Sequence, residues 1–136
     1  MRQALPIVLF LLLVVFLLAC STSEEEKINQ TLSRREEAFK KKDLSLYLSC
    51  ISGGYQDKGE DFGRLKERMA GYFSAFDRIE YSSSNRSVEI SGDDAAVTQD
   101  IQLVVERGDK RNRYSGRELL LLKREVSLAG VPLFIL

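Results

Sequence analysis

Carboxylates, tyrosines and one internal thiol are the groups in this sequence with which chemistry could be done. Asp100 and Glu118 stand in stretches of alternating apolar and polar residues. A carboxylate so placed can act as a general base, and Tyr47, Tyr55, Tyr72, Tyr81 and Tyr114 offer hydroxyl donors for a developing oxyanion. The chain has no histidine. That excludes Ser-His-Asp and Cys-His nucleophile systems and most catalytic zinc sites. Asp100 alternates with Val97-side residues and reads as solvent-facing, and five tyrosines in a domain of this size read as half-buried core residues. No spacing among these groups makes a catalytic motif, so no catalytic residue, metal ligand or cofactor is assigned. Cys50, set among Leu46, Tyr47, Leu48 and Ile51, reads as a small buried residue, because a nucleophilic thiol needs a base and an orienting group.

The other thiol, Cys20, has different surroundings. Arg2 precedes an almost unbroken apolar run over residues 4–19, which ends in Leu17-Leu18-Ala19-Cys20 and turns abruptly polar at Ser21-Thr22-Ser23-Glu24-Glu25-Glu26. A charged start, an apolar stretch and a small residue before the cut are the parts of a secretory signal. The run falls short of the ~20 apolar residues of a spanning helix and contains Pro6. An uncleaved membrane anchor is the alternative reading. Leu-Leu-Ala-Cys at this position resembles the lipobox of bacterial lipoproteins. The resemblance implies that residues 1–19 are removed and that Cys20 carries a diacylglycerol and a further acyl chain such as palmitate. Two or more chains give lasting attachment, which one does not. Ser21 after the cysteine is similar to the outer-membrane sorting choice in bacteria with two membranes. The expected location is therefore the cell envelope and, where the source has two membranes, the outer membrane facing the periplasm.

The 20 Lys plus Arg balance 20 Asp plus Glu, which argues against nucleic acid as a partner. With Cys20 lipidated, Cys50 has no disulfide partner. The expected organisation is a signal peptide over 1–19, a lipidated tether over 20–23 and one domain over 24–136. Ser23 with Glu26 fits a capping box, and Ile28, Leu32 and Phe39 with Ala38 recur at helical spacing, so a first helix is expected over 24–41, closed by Lys40-Lys41-Lys42. Asp43 caps a second helix over about 44–51, which ends at Ser52-Gly53-Gly54. Asp61 caps a third, whose Leu65, Met69, Tyr72, Phe73 and Phe76 make one apolar stripe. Gly71 inside it would permit close approach of another backbone. From Ile79 the period becomes two. Residues 79–90 read as two strands, or as one with an irregular middle at Ser84-Asn85-Arg86. Long strands follow over 95–106 and 112–123, joined by Gly-Asp turns. Three helices followed by antiparallel strands predict an α+β fold, helices packed on a curved antiparallel sheet.

Three stretches are similar to the nuclear transport factor 2-like (SnoaL-like) superfamily. They are Ala38-Phe39-Lys40-Lys41-Lys42-Asp43-Leu44-Ser45-Leu46-Tyr47, then Tyr55-Gln56-Asp57 with the helix ending Phe73-Ser74-Ala75-Phe76, and Val88-Glu89-Ile90-Ser91-Gly92-Asp93-Asp94-Ala95-Ala96-Val97. The resemblance implies a cone-shaped α+β domain. Members usually close with a strand bearing a tryptophan, and this chain has none. Either 133–136 replaces that strand, or the last strand is poorly formed, since Pro132 would disturb a central strand. The cone is expected to serve as a non-enzymatic binding or interaction module. Tyr47, Tyr72, Phe73, Phe76 and Tyr114 would line a cavity for a small hydrophobic ligand. Asp100, Gln102, Arg111, Arg113 and Arg117 would give the outer sheet face a polar character suited to a second copy of the chain or an envelope protein. An isomerase- or cyclase-like enzyme acting in the cone is the alternative.

Cys20→Ala removes the acceptor sulfur. Mass spectrometry is expected to find acyl chains on the mature wild-type protein and none on the variant. A wild-type protein without acyl chains overturns the lipidation.

Overall fold

A computed structural model describes residues 23–127 and 132–136; residues 1–22, with Cys20, lie outside the described part. Helix α1 spans Glu24–Lys41. Its start is fixed by Ser23, whose Oγ accepts from the Glu26 amide at 3.1 Å, and by three acidic residues in the first turn, where the helix dipole favours negative charge. It ends where Lys42 adopts the left-handed conformation and the amide of Asp43 returns to the Ala38 carbonyl at 2.9 Å. Asp43 then caps α2, Leu44–Leu48, through the Leu46 amide at 2.9 Å. This helix stops earlier than the sequence suggests, because the backbone hydrogen bonds after Ser49 tighten into turns from Cys50 to Tyr47 and Ile51 to Leu48.

Two short strands, β1 (Gln56–Asp57) and β2 (Glu60–Asp61), form a hairpin over the Lys58-Gly59 turn. Helix α3, Phe62–Ala75, follows at once, capped by Asp61 Oδ1 at 2.9 Å from the Arg64 amide. Gly71 has no heavy atom within 4 Å of where a Cβ would stand, so the expected close backbone approach is absent there.

The main sheet has the order β3-β4-β5-β6. Strands β3 (Arg78–Ser91), β4 (Asp94–Arg107) and β5 (Lys110–Val126) are joined by two-residue turns, each with a glycine at positive φ in first place: Gly92 at 59° and Gly108 at 55°. Residues 79–90 are one strand. A bulge between Ser84 and Ser87, with Asn85 at φ 52°, puts one extra residue into β3. Strand β6, Pro132–Ile135, pairs antiparallel with the far end of β5 and is an edge strand, so proline at its first residue breaks no central ladder. Residues 132–135 thus form a last strand that is paired along its length. Phe134 is fully buried, Thr31 Oγ1 donates to its carbonyl at 2.6 Å, and the Leu136 amide donates to the Cys50 carbonyl at 2.9 Å.

The helices cover the concave face of the sheet in two apolar clusters. One holds Ala38, Phe39, Tyr47, Ile51, Leu65, Met69, Phe73, Ile79 and Val105. The other holds Ile28, Leu32, Ala95, Val97, Leu122 and Phe134. Among the described residues no helix is long and apolar enough to cross a membrane.

Phe134→Ala deletes a fully buried ring in the second cluster. It is expected to lower unfolding stability by about 3–5 kcal/mol, read from the urea midpoint.

Candidate functional site

Between the two clusters the interior is polar, and four elements build it. On α1, Arg35 lies in phase with the buried stripe of Ile28, Leu32 and Phe39 and is itself buried. On the sheet, Gln99 falls between inward-facing Val97 and Ile101, Glu118 is its direct partner on β5, and Tyr81 lies two residues beyond inward-facing Ile79 on β3. Arg35 grips Glu118 with both guanidinium ends, Nη2 to Oε1 at 2.8 Å and Nη1 to Oε2 at 3.3 Å. Arg35 Nη1 also donates to the Tyr81 hydroxyl at 2.8 Å, and that hydroxyl donates onward to Glu118 Oε2. Gln99 Nε2 donates to both Glu118 Oε2, at 3.0 Å, and Tyr81 Oη, at 3.1 Å. The guanidinium carbon of Arg35 stands 5.0 Å from the Tyr81 ring centre and 5.3 Å from that of Phe39, and the two rings stack at 4.9 Å.

A second tier extends this network. Arg86, within the bulge, donates through Nε to Gln99 Oε1 at 2.9 Å, through Nη1 to Asn29 Oδ1 at 2.8 Å and through Nη2 to Ser83 Oγ at 2.9 Å, while Ser83 Oγ donates to Glu36.

Beside the network opens a cavity of about 370 Å³. Arg35, Glu118 and Tyr81 line it together with Phe39, Ile101 and Leu103, and Leu136 from the end of β6 closes one side. Arg68 of α3 also reaches it and is held by Glu60 of the small hairpin, Nε to Oε1 at 2.7 Å and Nη2 to Oε2 at 2.9 Å. Among the described residues no group of three or more acidic or cysteine side chains is placed to hold a metal ion.

The electrostatics of the pair are set by its surroundings. Burial works to raise the Glu118 pKa, but the charge of Arg35 and the hydrogen bonds from Tyr81, Arg35 and Gln99 hold the carboxyl below the usual carboxylate range. Burial likewise opposes the Arg35 charge and is outweighed by Tyr81, Glu118 and Tyr47. Burial pushes the Tyr81 hydroxyl up to about 12, against the pull of Arg35 and with the help of Glu118. Glu118 is thus an ionised acceptor and Tyr81 a neutral donor at neutral pH. Burial also pushes the Cys50 thiol up, in keeping with an inert core residue.

Of the five residues expected to line the cavity, Tyr47 and Tyr72 do so. Phe73 turns instead into the first cluster, edge-on to Phe39 at 5.7 Å and to Tyr47 at 6.0 Å. Phe76 is already extended backbone beyond α3 and packs on Tyr72 at 5.1 Å. Tyr114 departs furthest from the expectation. It is opposite Leu103 on the concave side but 56% exposed, because it lies on the part of β5 that reaches out past the helices. Asp100 faces away from the cavity, opposite Arg117, and accepts from Asn85 Nδ2 at 2.8 Å. Gln102, Arg111, Arg113 and Arg117 share that outer face by register, and so do Leu119 and Leu121, which are 64% and 68% exposed. Arg35 and Gln99 were missed. The signal for each was a polar residue in phase with a buried stripe.

No protein-family model and no curated protein matches the chain. Solved structures do. A nuclear transport factor 2-like superfamily protein from Salmonella enterica serovar Typhimurium is similar with a TM-score of 0.67 at 14% identity, over 81% of this chain and 84% of that one. A candidate dehydratase of the same family from Streptomyces avermitilis gives 0.64 at 14% identity, over 80% and 88%. A candidate scytalone dehydratase from Novosphingobium aromaticivorans gives 0.66 at 12%, over 82% and 78%. The fold is the nuclear transport factor 2-like cone. At these identities the likeness concerns the fold alone.

Glu118→Ala leaves Arg35 buried without its counter-charge, and a loss of about 3 kcal/mol or more is expected in urea unfolding. Arg35→Met with Glu118→Leu together are expected to restore most of it. The pH dependence carries a sign for each group. The folded Glu118 pKa is depressed, so its contribution is full above the unfolded value of about 4.3 and is lost as pH falls through the folded one. The folded Tyr81 pKa is raised, so its contribution is full below about 10 and is lost as pH rises toward about 12. Tyr81→Phe is expected to flatten the alkaline limb of the stability profile.

Proposed function

We propose that the chain is a lipid-anchored lipoprotein of the bacterial cell envelope, held by acyl chains on Cys20, whose cone binds a small hydrophobic ligand without transforming it. The observation that carries the ligand reading is the open cavity, of a size that ordinary small-molecule sites have, walled by apolar and aromatic side chains with a few convergent polar groups. The anchoring rests on the sequence around Cys20. Ser21 supports attachment to the outer membrane facing the periplasm.

The same geometry weighs against the isomerase or cyclase alternative. A general base works best with a pKa near the operating pH. Glu118 lies on the wrong side of that condition, and one of its oxygens already accepts from Arg35, Tyr81 and Gln99. Asp100 faces away from the cavity. Dehydratase assignments among the similar structures belong to those proteins.

Solvent extraction of the protein purified from its native membrane is expected to release one small apolar compound in near-stoichiometric amount. Ile101→Trp, which fills the cavity from the sheet side, is expected to lose it. Equal yields from the two proteins overturn the ligand reading. The exposed Leu119 and Leu121 support a second use, docking of another copy or an envelope protein on the outer face. A mass in sedimentation that is monomeric for wild type, with no crosslinked envelope partner, overturns that use.

A further inference from the structure

Both cations that reach the cavity are already engaged. Arg35 is gripped through two nitrogens by Glu118, and Arg68 through two by Glu60. Glu118 is also a lining residue, so its carboxylate is the charge that a ligand entering beside the polar tier meets. The remaining polar groups at the wall are tyrosine hydroxyls: Tyr47, Tyr55, Tyr72 and Tyr81. Burial shifts all four upward from a value that already leaves a tyrosine neutral at neutral pH.

This inventory discriminates between ligand charges. A carboxylate or phosphate head finds no guanidinium without a carboxylate partner; to take one as its own counter-charge it must displace Glu118 from Arg35 or Glu60 from Arg68, and it then stands beside the displaced carboxylate. An ammonium head meets the Glu118 carboxylate only beside the guanidinium of Arg35, so it too finds no uncompensated counter-charge. A hydroxyl or carbonyl needs no counter-charge, and the hydroxyls of Tyr47, Tyr55 and Tyr72 serve it as donors or acceptors, that of Tyr81 being already spent on Glu118, Arg35 and Gln99. We propose that the cavity selects an uncharged apolar molecule bearing a hydroxyl or carbonyl over the carboxylate of the same skeleton, and that Glu118 sets this selectivity by occupying Arg35. The proposal rests on the ligand-binding reading of the cone and adds its chemical class and its discriminating residue.

The matched probes 2-naphthol and 2-naphthoate test it on the acylated full chain in nanodiscs, by equilibrium dialysis against empty nanodiscs of the same lipid. Wild type is expected to bind the naphthol at least about tenfold more tightly than the naphthoate at neutral pH. Glu118→Gln leaves Arg35 with an uncompensated charge, and is expected to bring the ratio to one or below, chiefly by tightening the naphthoate. Glu118→Asp, which keeps the charge, is expected to retain the naphthol preference. A measurement without substitution guards against a variant that fails to fold. Wild-type affinity for the naphthoate should rise toward that for the naphthol as pH falls through the probe's own pKa. Equal binding of the two probes by wild type, or a ratio that neither Glu118→Gln nor pH moves, overturns the selectivity while leaving the ligand reading intact. Binding of neither probe by folded wild type removes the ligand reading and the selectivity with it.

Discussion

The ion pair between Arg35 and Glu118 is the contact on which the rest of this molecule is arranged. It joins the middle of α1 to the third strand of the sheet, and Tyr81 and Gln99 bring the other two long strands to the same carboxylate. Burying two charges is costly, and a pair repays the loss of water only when its remaining hydrogen-bonding capacity is met. Here it largely is, by the hydroxyl, the amide and two aromatic faces, although Arg35 Nε finds no partner. Apolar side chains could hold α1 on the sheet in several neighbouring rotations. A guanidinium that must meet one carboxylate allows far fewer. The pair also keeps the core from being a single apolar mass: it parts Ile28 and Leu32 from Phe39 along one helix, and the cavity lies at that division.

Most of the framework was legible because local chemistry and packing agree. Ser23, Asp43 and Asp61 each cap a helix, the glycine-aspartate pairs turn the two hairpins, and period-two alternation marks β4 and β5. The site was less legible for a physical reason. Periodicity identifies a face by its apolar members, so Arg35 and Gln99, polar residues on buried faces, are skipped by the rule that finds their neighbours. Glu118 was visible as a candidate, but its state depends on Arg35, far away in sequence. Tyr114 shows the opposite error. Its phase is right for the concave side, but β5 is longer than the helices that cover it, and sequence phase carries no information about where the cover stops.

The same geometry bears on how the fold is used. A cone of this type fixes a cavity and leaves its contents to a few positions. Here those positions hold charges that neutralise one another. At the other end of the domain, Arg124 of β5 ties Glu24 at the start of α1 and lies 5.3 Å over the Phe134 ring. The first turn of α1, only a few residues after Cys20, is thus bound directly to the sheet.

The bulge in β3 has a consequence that concerns the length of the chain more than its composition. Before it, odd-numbered residues face the helices, as Ile79, Tyr81 and Ser83 do; after it, even-numbered ones do, as Val88 does opposite Val97. The extra residue works like a frame change in the code that assigns side chains to faces. The same residues paired without the bulge, Asn85 opposite Gln99 and Arg86 opposite Thr98, would present the wrong half of the strand, turning Glu89 toward the apolar cluster and Val88 to water. The bulge is thus the device that absorbs one residue and keeps both halves of β3 facing the same way, so that Val88 still meets Val97.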